Sequence, residues 1–325
     1  MSIKSKRLVD YCLFGLLALL WSGSFINIKT TVDACPAFFS AMIRVFIAFI
    51  SLSILFLIQK KKIFLSPKLA WRLWMAGIFS QAIPFAFLFY GEQFVEPALA
   101  SIINSTVAIW ALLLGVVFLG DIGQLNFNKV SGVVLGFAGI LLIFGPMLHE
   151  GPDAVVGIIS IFGMVISYAI GALINQHIVF GKMNVAFQTN LWQQHLASFL
   201  FLLVLSGLFE TWPAFHMCMN IKVLGAFVYL GVFATAISFI IYYYLIREWD
   251  AVRASSVMYV VPMLAILWDF LFLDLTPTWH EIVGAVIILA GVMLIQCSKK
   301  KIIAESPWID PVPKSRHTPK PRGKL

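Results

Sequence analysis

The sequence predicts an all-α integral membrane protein with ten transmembrane helices arranged as two inverted five-helix repeats. Three observations predict it. The first is composition: 61% of the 325 residues are hydrophobic and 12% are charged, with a mean hydropathy of +0.94. A soluble globular domain carries roughly 25% charged residues, so a water-soluble fold could not cover this much apolar surface. The second is the recurrence of apolar stretches of about the 20 residues that cross a bilayer as a helix. The third is an internal repeat.

The stretches lie near residues 9 to 28, 37 to 58, 73 to 89, 98 to 119, 130 to 146, 155 to 176, 191 to 209, 223 to 246, 252 to 273 and 279 to 297. They are continuous apolar runs without the period-two alternation of a barrel strand. Lipid offers the backbone no hydrogen-bond partner, so each run is expected to be helical. Lys and Arg then sort by side. With a cytoplasmic N-terminus, that side holds Lys4, Lys6 and Arg7, then Lys60, Lys61, Lys62, Lys68 and Arg72, then Lys129, Lys182, Arg247 and Arg253, and every basic residue after 298. The opposite side holds Lys29 and Lys222, and Arg44 falls inside a span. This asymmetry places both termini in the cytoplasm and the chain, multi-pass, in the cell (inner) membrane; an odd number of spans would spoil it.

The repeat appears when Ala98 to Leu119 is laid on Val252 to Leu273. Identities fall at Ala100/Ala254, Ser101/Ser255, Val107/Val261, Ala111/Ala265, Leu113/Leu267, Phe118/Phe272 and Leu119/Leu273. After a short deletion the match resumes at Gly132/Gly284, Ala138/Ala290, Gly139/Gly291, Leu142/Leu294 and Ile143/Ile295. Each half then holds five spans, and five is odd, so the second half enters the membrane from the other side. Inverted repeats of this kind are common in secondary transporters. The expected units are residues 1–146, residues 153–297 and a basic, proline-rich tail, 298–325, expected to be disordered and cytoplasmic.

Several function classes are disfavoured by composition and spacing. The net charge of +8 sits at span ends and in the tail, which reads as topology and not as a nucleic-acid surface. The four cysteines are far apart, with no C-x-x-C unit, and neither metal nor cofactor is implied. Cys35 and Cys218 both fall in outward links, where a disulfide is conceivable. The first span follows Lys4, Lys6 and Arg7 like a signal peptide, but it is long for one and lacks an A-x-A site, so it reads as uncleaved. An intramembrane enzyme would need a catalytic constellation, and there is no H-E-x-x-H, no G-x-S-x-G and no cluster of aspartates. A non-transporting scaffold or channel subunit stays open at this level.

The residues W-S-G-S-F at Trp21 to Phe25, Pro36 followed by Arg44, A-L-A-S-I-I-N-S-T from Ala98 to Thr106, F-L-G-D ending at Asp121, and the twice-used G-x-x-x-x-x-A-G at Gly132 to Gly139 and Gly284 to Gly291 occur in a fixed order. In these the chain resembles the EamA-type branch of the drug/metabolite transporter (DMT) superfamily, from Val9 to Gln296. The resemblance implies ten helices in two repeats and the export of amino acids or related metabolites by alternating access, with import or exchange as the alternative. Two departures stand out. Pro262 supplies the proline usual in helix 9 but Ala108 occupies its counterpart in helix 4, which predicts a less bent helix 4, and Asp121 replaces a usual glutamate.

Candidate site residues follow from polarity inside spans. Arg44, about seven residues into its span, is expected to face a wet cavity or an acid, or else to snorkel to the interface. Gln193 occupies its repeat position, and Gln193, Gln194 and His195 cannot all face lipid. Trp21, Ser24, Gln81, Asn104, Trp110, Tyr168, Asn175 and Tyr259 suit a midplane cavity for an amphipathic small molecule. Pro84 and Pro262 are expected to break their helices and free carbonyls. His195 and Asp269 are the proton-coupling candidates, with water expected to reach Asp269. Glu92 and Glu96 are expected to be solvated in the link between helices 3 and 4. Gly132 and Gly136 suit close helix packing or a homodimer contact. The expected partners are a small-molecule substrate and the lipid bilayer.

Overall fold

A computed structural model describes residues 3–60, 67–119, 127–147, 152–175, 185–212, 220–249 and 257–297. Asp121, Lys182, Cys218, Arg253 and the tail from 298 lie outside them. The described residues are helical, with short connecting turns. In chain order the helices are α1 (Ile3–Val32), α2 (Ala37–Ile58), α3 (Pro67–Gly77) and α4 (Ile83–Gly91), then α5 (Pro97–Asn104) and α6 (Val107–Leu119). They continue with α7 (Phe127–Met147), α8 (Pro152–Ile174), α9 (Phe187–Phe209), α10 (Ile221–Val228) and α11 (Ser238–Trp249), and finish with α12 (Val257–Phe272) and α13 (Trp279–Cys297). A π-helical segment, Ile78–Ala82, joins α3 to α4, and a second, Tyr229–Ile237, joins α10 to α11.

Among the described residues, seven rods are long and apolar enough to cross a membrane: Leu8–Val32, Ala37–Ile58, Ala70–Gly91, Pro97–Phe118, Pro152–Ile174, Phe187–Phe209 and Ile221–Leu245. The apolar helices Phe127–Ile143, Val260–Phe272 and Trp279–Leu294 are shorter. At 1.5 Å per residue the 16 residues of α12 rise about 24 Å, less than a hydrocarbon core of roughly 30 Å. Large apolar side chains such as Ile54, Leu57, Val117, Leu141, Val204 and Leu208 are exposed on the outside of the bundle, as lipid-facing positions require.

The interruptions have local causes. Pro84 cannot donate a backbone hydrogen bond, and the chain widens into the π-helical segment just before it. The carbonyls loosened there are taken by hydroxyls of neighbouring helices: Ser167 Oγ donates to Phe79 O at 2.9 Å and Ser198 Oγ to Gly77 O at 3.1 Å. In the second π-helical segment the hydroxyls are internal, Thr235 to Leu230 O at 2.7 Å and Ser238 to Phe233 O at 2.8 Å. The fourth span is not straighter for lacking a proline at Ala108. It breaks at Ser105–Thr106, where Ser101, Ser105 and Thr106 all donate back to carbonyls three residues earlier and compete with the helical ladder. Pro262, by contrast, sits within an uninterrupted α12.

Packing sets the neighbours of the site. α2 lies against α9 and the second π-helical segment, α9 against α3, α4 against α8, and α1 against α12. α7 and α13 pack backbone to backbone through glycines. A Cβ on Gly139 would stand 2.8 Å from Gly284 O, and one on Gly291 would stand 2.5 Å from Gly132 O. As residue numbers rise along one helix they fall along the other, so the pair runs antiparallel. A Cβ on Gly136 would meet Ile109, and the Gly132 carbonyl lies against Gly291 of α13, so both glycines make contacts within the chain.

At one end of the bundle, called the Glu92 end below, acids close helix starts. Glu210, the residue after α9, accepts from Phe38 N and Phe39 N at 2.7 Å each, satisfying two of the free donors at the start of α2. Asp269 of α12 accepts from Ala98 N at 2.7 Å at the start of α5. Thr278 and Glu281 form a reciprocal capping box that starts α13. Cys35, between α1 and α2 at this end, is disulfide-bonded.

Candidate functional site

Arg44 projects from α2 into the middle of the bundle and is 4% exposed. It does not snorkel. Its Nε donates to Thr235 Oγ1 at 2.9 Å, and its guanidinium carbon stands 4.2 Å from the Phe85 ring centroid and 6.0 Å from that of Phe89. Stacking on ring faces stabilises the cation, yet Nη1 is buried without a hydrogen-bond partner. A buried guanidinium has five donors to satisfy, and this one keeps part of its fork free.

Aromatic residues surround that fork. Tyr168 of α8 meets Phe85 edge-on at 6.5 Å. Tyr229 opens the second π-helical segment and donates to Leu20 O at 3.1 Å. Its hydroxyl lies where a Cβ on Gly23 would fall, at 2.5 Å, so the glycine of W-S-G-S-F admits it. Trp21 packs against Tyr242 and Phe239, and Ser24 turns back to Trp21 O at 2.6 Å. Thr235, Phe85, Phe89 and Tyr229 were not singled out by sequence. Spacing could have found the two phenylalanines, since Gln81, Phe85, Phe89 and Glu92 recur every three to four residues, the signature of one helix face.

The polar run of α9 divides into two kinds of residue. Gln194 is fully used: its Nε2 donates to Asn175 Oδ1 at 2.9 Å and Asn190 Oδ1 at 2.7 Å, and its Oε1 accepts from Ser80 at 3.1 Å. Gln193 Oε1 accepts from Trp74 Nε1 at 2.9 Å. These bonds join α3, α8 and α9, and Asn175 belongs to that joint. His195 is different: Nδ1 is 2.8 Å from Leu191 O, the ring stands edge-on to Phe239, and Nε2 is buried without a partner. Gln81 Oε1 and Trp110 Nε1 are likewise buried and unpartnered. Asn104 is half-buried at the end of α5, and Tyr259 lies on α12 with its side chain outside the described residues.

The structure corrects the expectation for two acids. Glu96 is exposed, but Glu92 is 0% exposed and neither of its oxygens has a hydrogen-bond partner. The cause is helical register: α4 runs to Gly91, and Glu92, just past the span Ala70–Gly91, continues the inward face of Phe85 and Phe89. Burial pushes its carboxyl well above the usual carboxylate range; Asp269 adds to this, while Lys29 and Arg44 oppose it. Asp269 is 3% exposed where water was expected, its Oδ2 capping α5 and its Oδ1 unpartnered. A cavity of about 10 Å³ beside it is about the size of one water. Among the described residues no group of three or more His, Cys, Asp or Glu could hold a metal ion.

The free donor of Arg44 and the aromatic rings beside it are suited to binding and orienting a small molecule. Comparison with known proteins agrees. The model of the EamA-like transporter family matches residues 10–145 and again 155–297. The chain is 24% identical to the uncharacterized transporter YoaV of Bacillus subtilis, over 86% of this chain and 93% of that one. It is 25% identical to a protein of Escherichia coli named a probable amino-acid metabolite efflux pump, again over 86% and 93%. A crystal structure is matched with a TM-score of 0.61 at 18% identity, covering 88% of this chain and 96% of that one, which shows a shared fold.

Proposed function

Because the chain belongs to the EamA-like transporter family, we propose that this multi-pass membrane transporter exports amino acids or related small metabolites by alternating access. It is a transporter rather than an enzyme. In this proposal ten helices form two inverted halves, residues 1–146 and 153–297, in the cell (inner) membrane with both termini cytoplasmic, and the substrate passes between the halves at Arg44. The antiparallel glycine contact supports the inversion, because Gly132 and Gly139 of one helix meet their own repeat counterparts in reverse order. So does the placement of the two π-helical segments, each in the third rod of its half.

The observation that carries the reading is the free edge of Arg44. A buried guanidinium that stacks on Phe85 and bonds Thr235 of the other half, yet keeps Nη1 unpartnered, is suited to a carboxylate, which guanidinium recognises with directed hydrogen bonds. The aromatic walls of Phe85, Tyr168 and Tyr229 fit the rest of a zwitterionic metabolite. The name of the Escherichia coli relative supports the same substrate class. The test is uptake of labelled amino acids, amines and nucleosides into proteoliposomes, with and without a pH gradient. Saturable flux accelerated by substrate on the far side of the membrane is expected for an amino acid; unsaturable flux, or none for any of the three classes, overturns the proposal. Reporter fusions test the inversion separately: residues 65 and 215 must report opposite faces.

A further inference from the structure

Glu92 has no structural occupation that accounts for it. Four other carboxylates at this end of the bundle have evident tasks: Glu210 caps α2, Asp269 caps α5, Glu281 caps α13, and Asp33 pairs with Lys29 at 2.9 Å. Glu92 caps nothing, pairs with nothing and is sealed from solvent. An ionised carboxylate held this way is strongly disfavoured unless a counter-charge or a proton neutralises it.

Its surroundings are graded in charge. On the side toward the bundle centre, Phe89 and Phe85 continue the same helix face, with the Arg44 guanidinium stacked on them. Toward the surface, a cavity of about 370 Å³ is lined by Lys29, Asp33, Gln93, Phe94 and Glu96 among others. Glu92 immediately precedes Gln93 in the chain and does not itself line this cavity. The groups facing it from the packed elements are Lys29 of α1, Asp33 just after it, Arg44 of α2 and Asp269 of α12, with Tyr168 of α8 farther in beside Phe85. Lys29, partly exposed, is paired with Asp33. Glu92 is thus adjacent in sequence to a residue that lines a surface cavity, while the buried cation stacks on the rings that precede it on the same helix face. That is a suitable position for a group loaded from the surface and then sealed.

We propose that Glu92 is a proton-binding site of the transport cycle: the Glu92 end closes when its carboxyl carries a proton and opens when it does not. This rests on the alternating-access reading above. Closure carries Glu92 from water into an enclosure without hydrogen-bond partners, which the neutral acid tolerates and the carboxylate does not. The proton forms an O–H bond at the Glu92 carboxylate on entry and leaves to water when the end opens. The sign follows from burial, which favours the protonated form. Closure is complete at low pH and is lost as pH rises through the raised titration point.

The test needs no substrate. The full chain in lipid nanodiscs is titrated with acid and base while infrared difference spectra record the protonated-carboxyl C=O band and hydrogen–deuterium exchange follows the backbone of residues 92–98, 33–37 and 208–212. Wild type should show a carboxyl band that titrates together with exchange at the Glu92 end, protection falling at least tenfold as the band is lost. Glu92→Gln, a neutral mimic, should lose that band and stay protected at every pH. Glu92→Asp should keep a titrating band. A band unchanged in Glu92→Gln, or the same pH dependence of exchange in wild type and Glu92→Gln, overturns the proposal. A failure to transport any tested amino acid would instead strike the functional reading, because neither of these signals depends on transport.

Discussion

Glu210 offers a direct test of how α2 and α9 are joined. Its two carboxylate oxygens accept from Phe38 N and Phe39 N at 2.7 Å, and Oε2 also accepts from Ser206 Oγ at 3.2 Å. Hydrogen bonds to a charged group contribute about 1.5–3 kcal/mol each, and a carboxylate at a helix N-terminus adds up to about 1 kcal/mol when exposed. Glu210 is half-buried, so water replaces part of what truncation removes. The low end of the range applies, and Glu210→Ala should cost about 2–3 kcal/mol. Glu210→Gln keeps one acceptor oxygen and loses the charge, for about 1 kcal/mol. The assay is equilibrium unfolding in mixed micelles titrated with SDS, followed by tryptophan fluorescence. A Glu210→Ala protein within about 0.5 kcal/mol of wild type, or one indistinguishable from Glu210→Gln, would refute the claim that this carboxylate holds α2 to α9.

Other consequences follow from the packing and the polar joint. Gly291→Leu should force α7 and α13 apart, because even a Cβ there meets Gly132 O at 2.5 Å; the expected loss is about 1–3 kcal/mol in the same unfolding assay. Gln194→Leu removes the partner of Ser80, Asn175 and Asn190, each bond worth about 0.6 kcal/mol in a membrane bundle. It should lower stability by about 2 kcal/mol while leaving the ranking of transported substrates unchanged in competition assays. Arg44→Lys keeps the charge but not the planar fork, and should weaken binding of a carboxylate substrate about tenfold or more, read as a rise in the concentration for half-maximal uptake.

The fold was legible in the sequence wherever the signal was long and apolar. Continuous runs such as Ala37–Ile58 need no tertiary information to be placed, because the bilayer decides their conformation. Arg44 was legible for the converse reason: one charge in an apolar run stands out. Glu92 was misjudged because it follows the last apolar residue of its run, and whether such a residue is solvated depends on how far the helix continues and which face it presents. The break at Ser105–Thr106 was missed because proline was treated as the main breaker, whereas three hydroxyls bonding back to the ladder act there. Thr235 and Tyr229 became visible only when α2 and the second π-helical segment came together, since contacts between distant segments leave no local trace in a single sequence.

In the proposed cycle Arg44 is the group that holds the substrate between the two halves. Trans-accelerated uptake of a labelled amino acid, measured side by side in proteoliposomes of wild type and Arg44→Ala at matched protein content, tests this most directly. The account predicts saturable, accelerated uptake in wild type and its loss in Arg44→Ala, with the variant still folded by the unfolding assay. Equal uptake in the two proteins would contradict it and return Arg44 to a purely structural role.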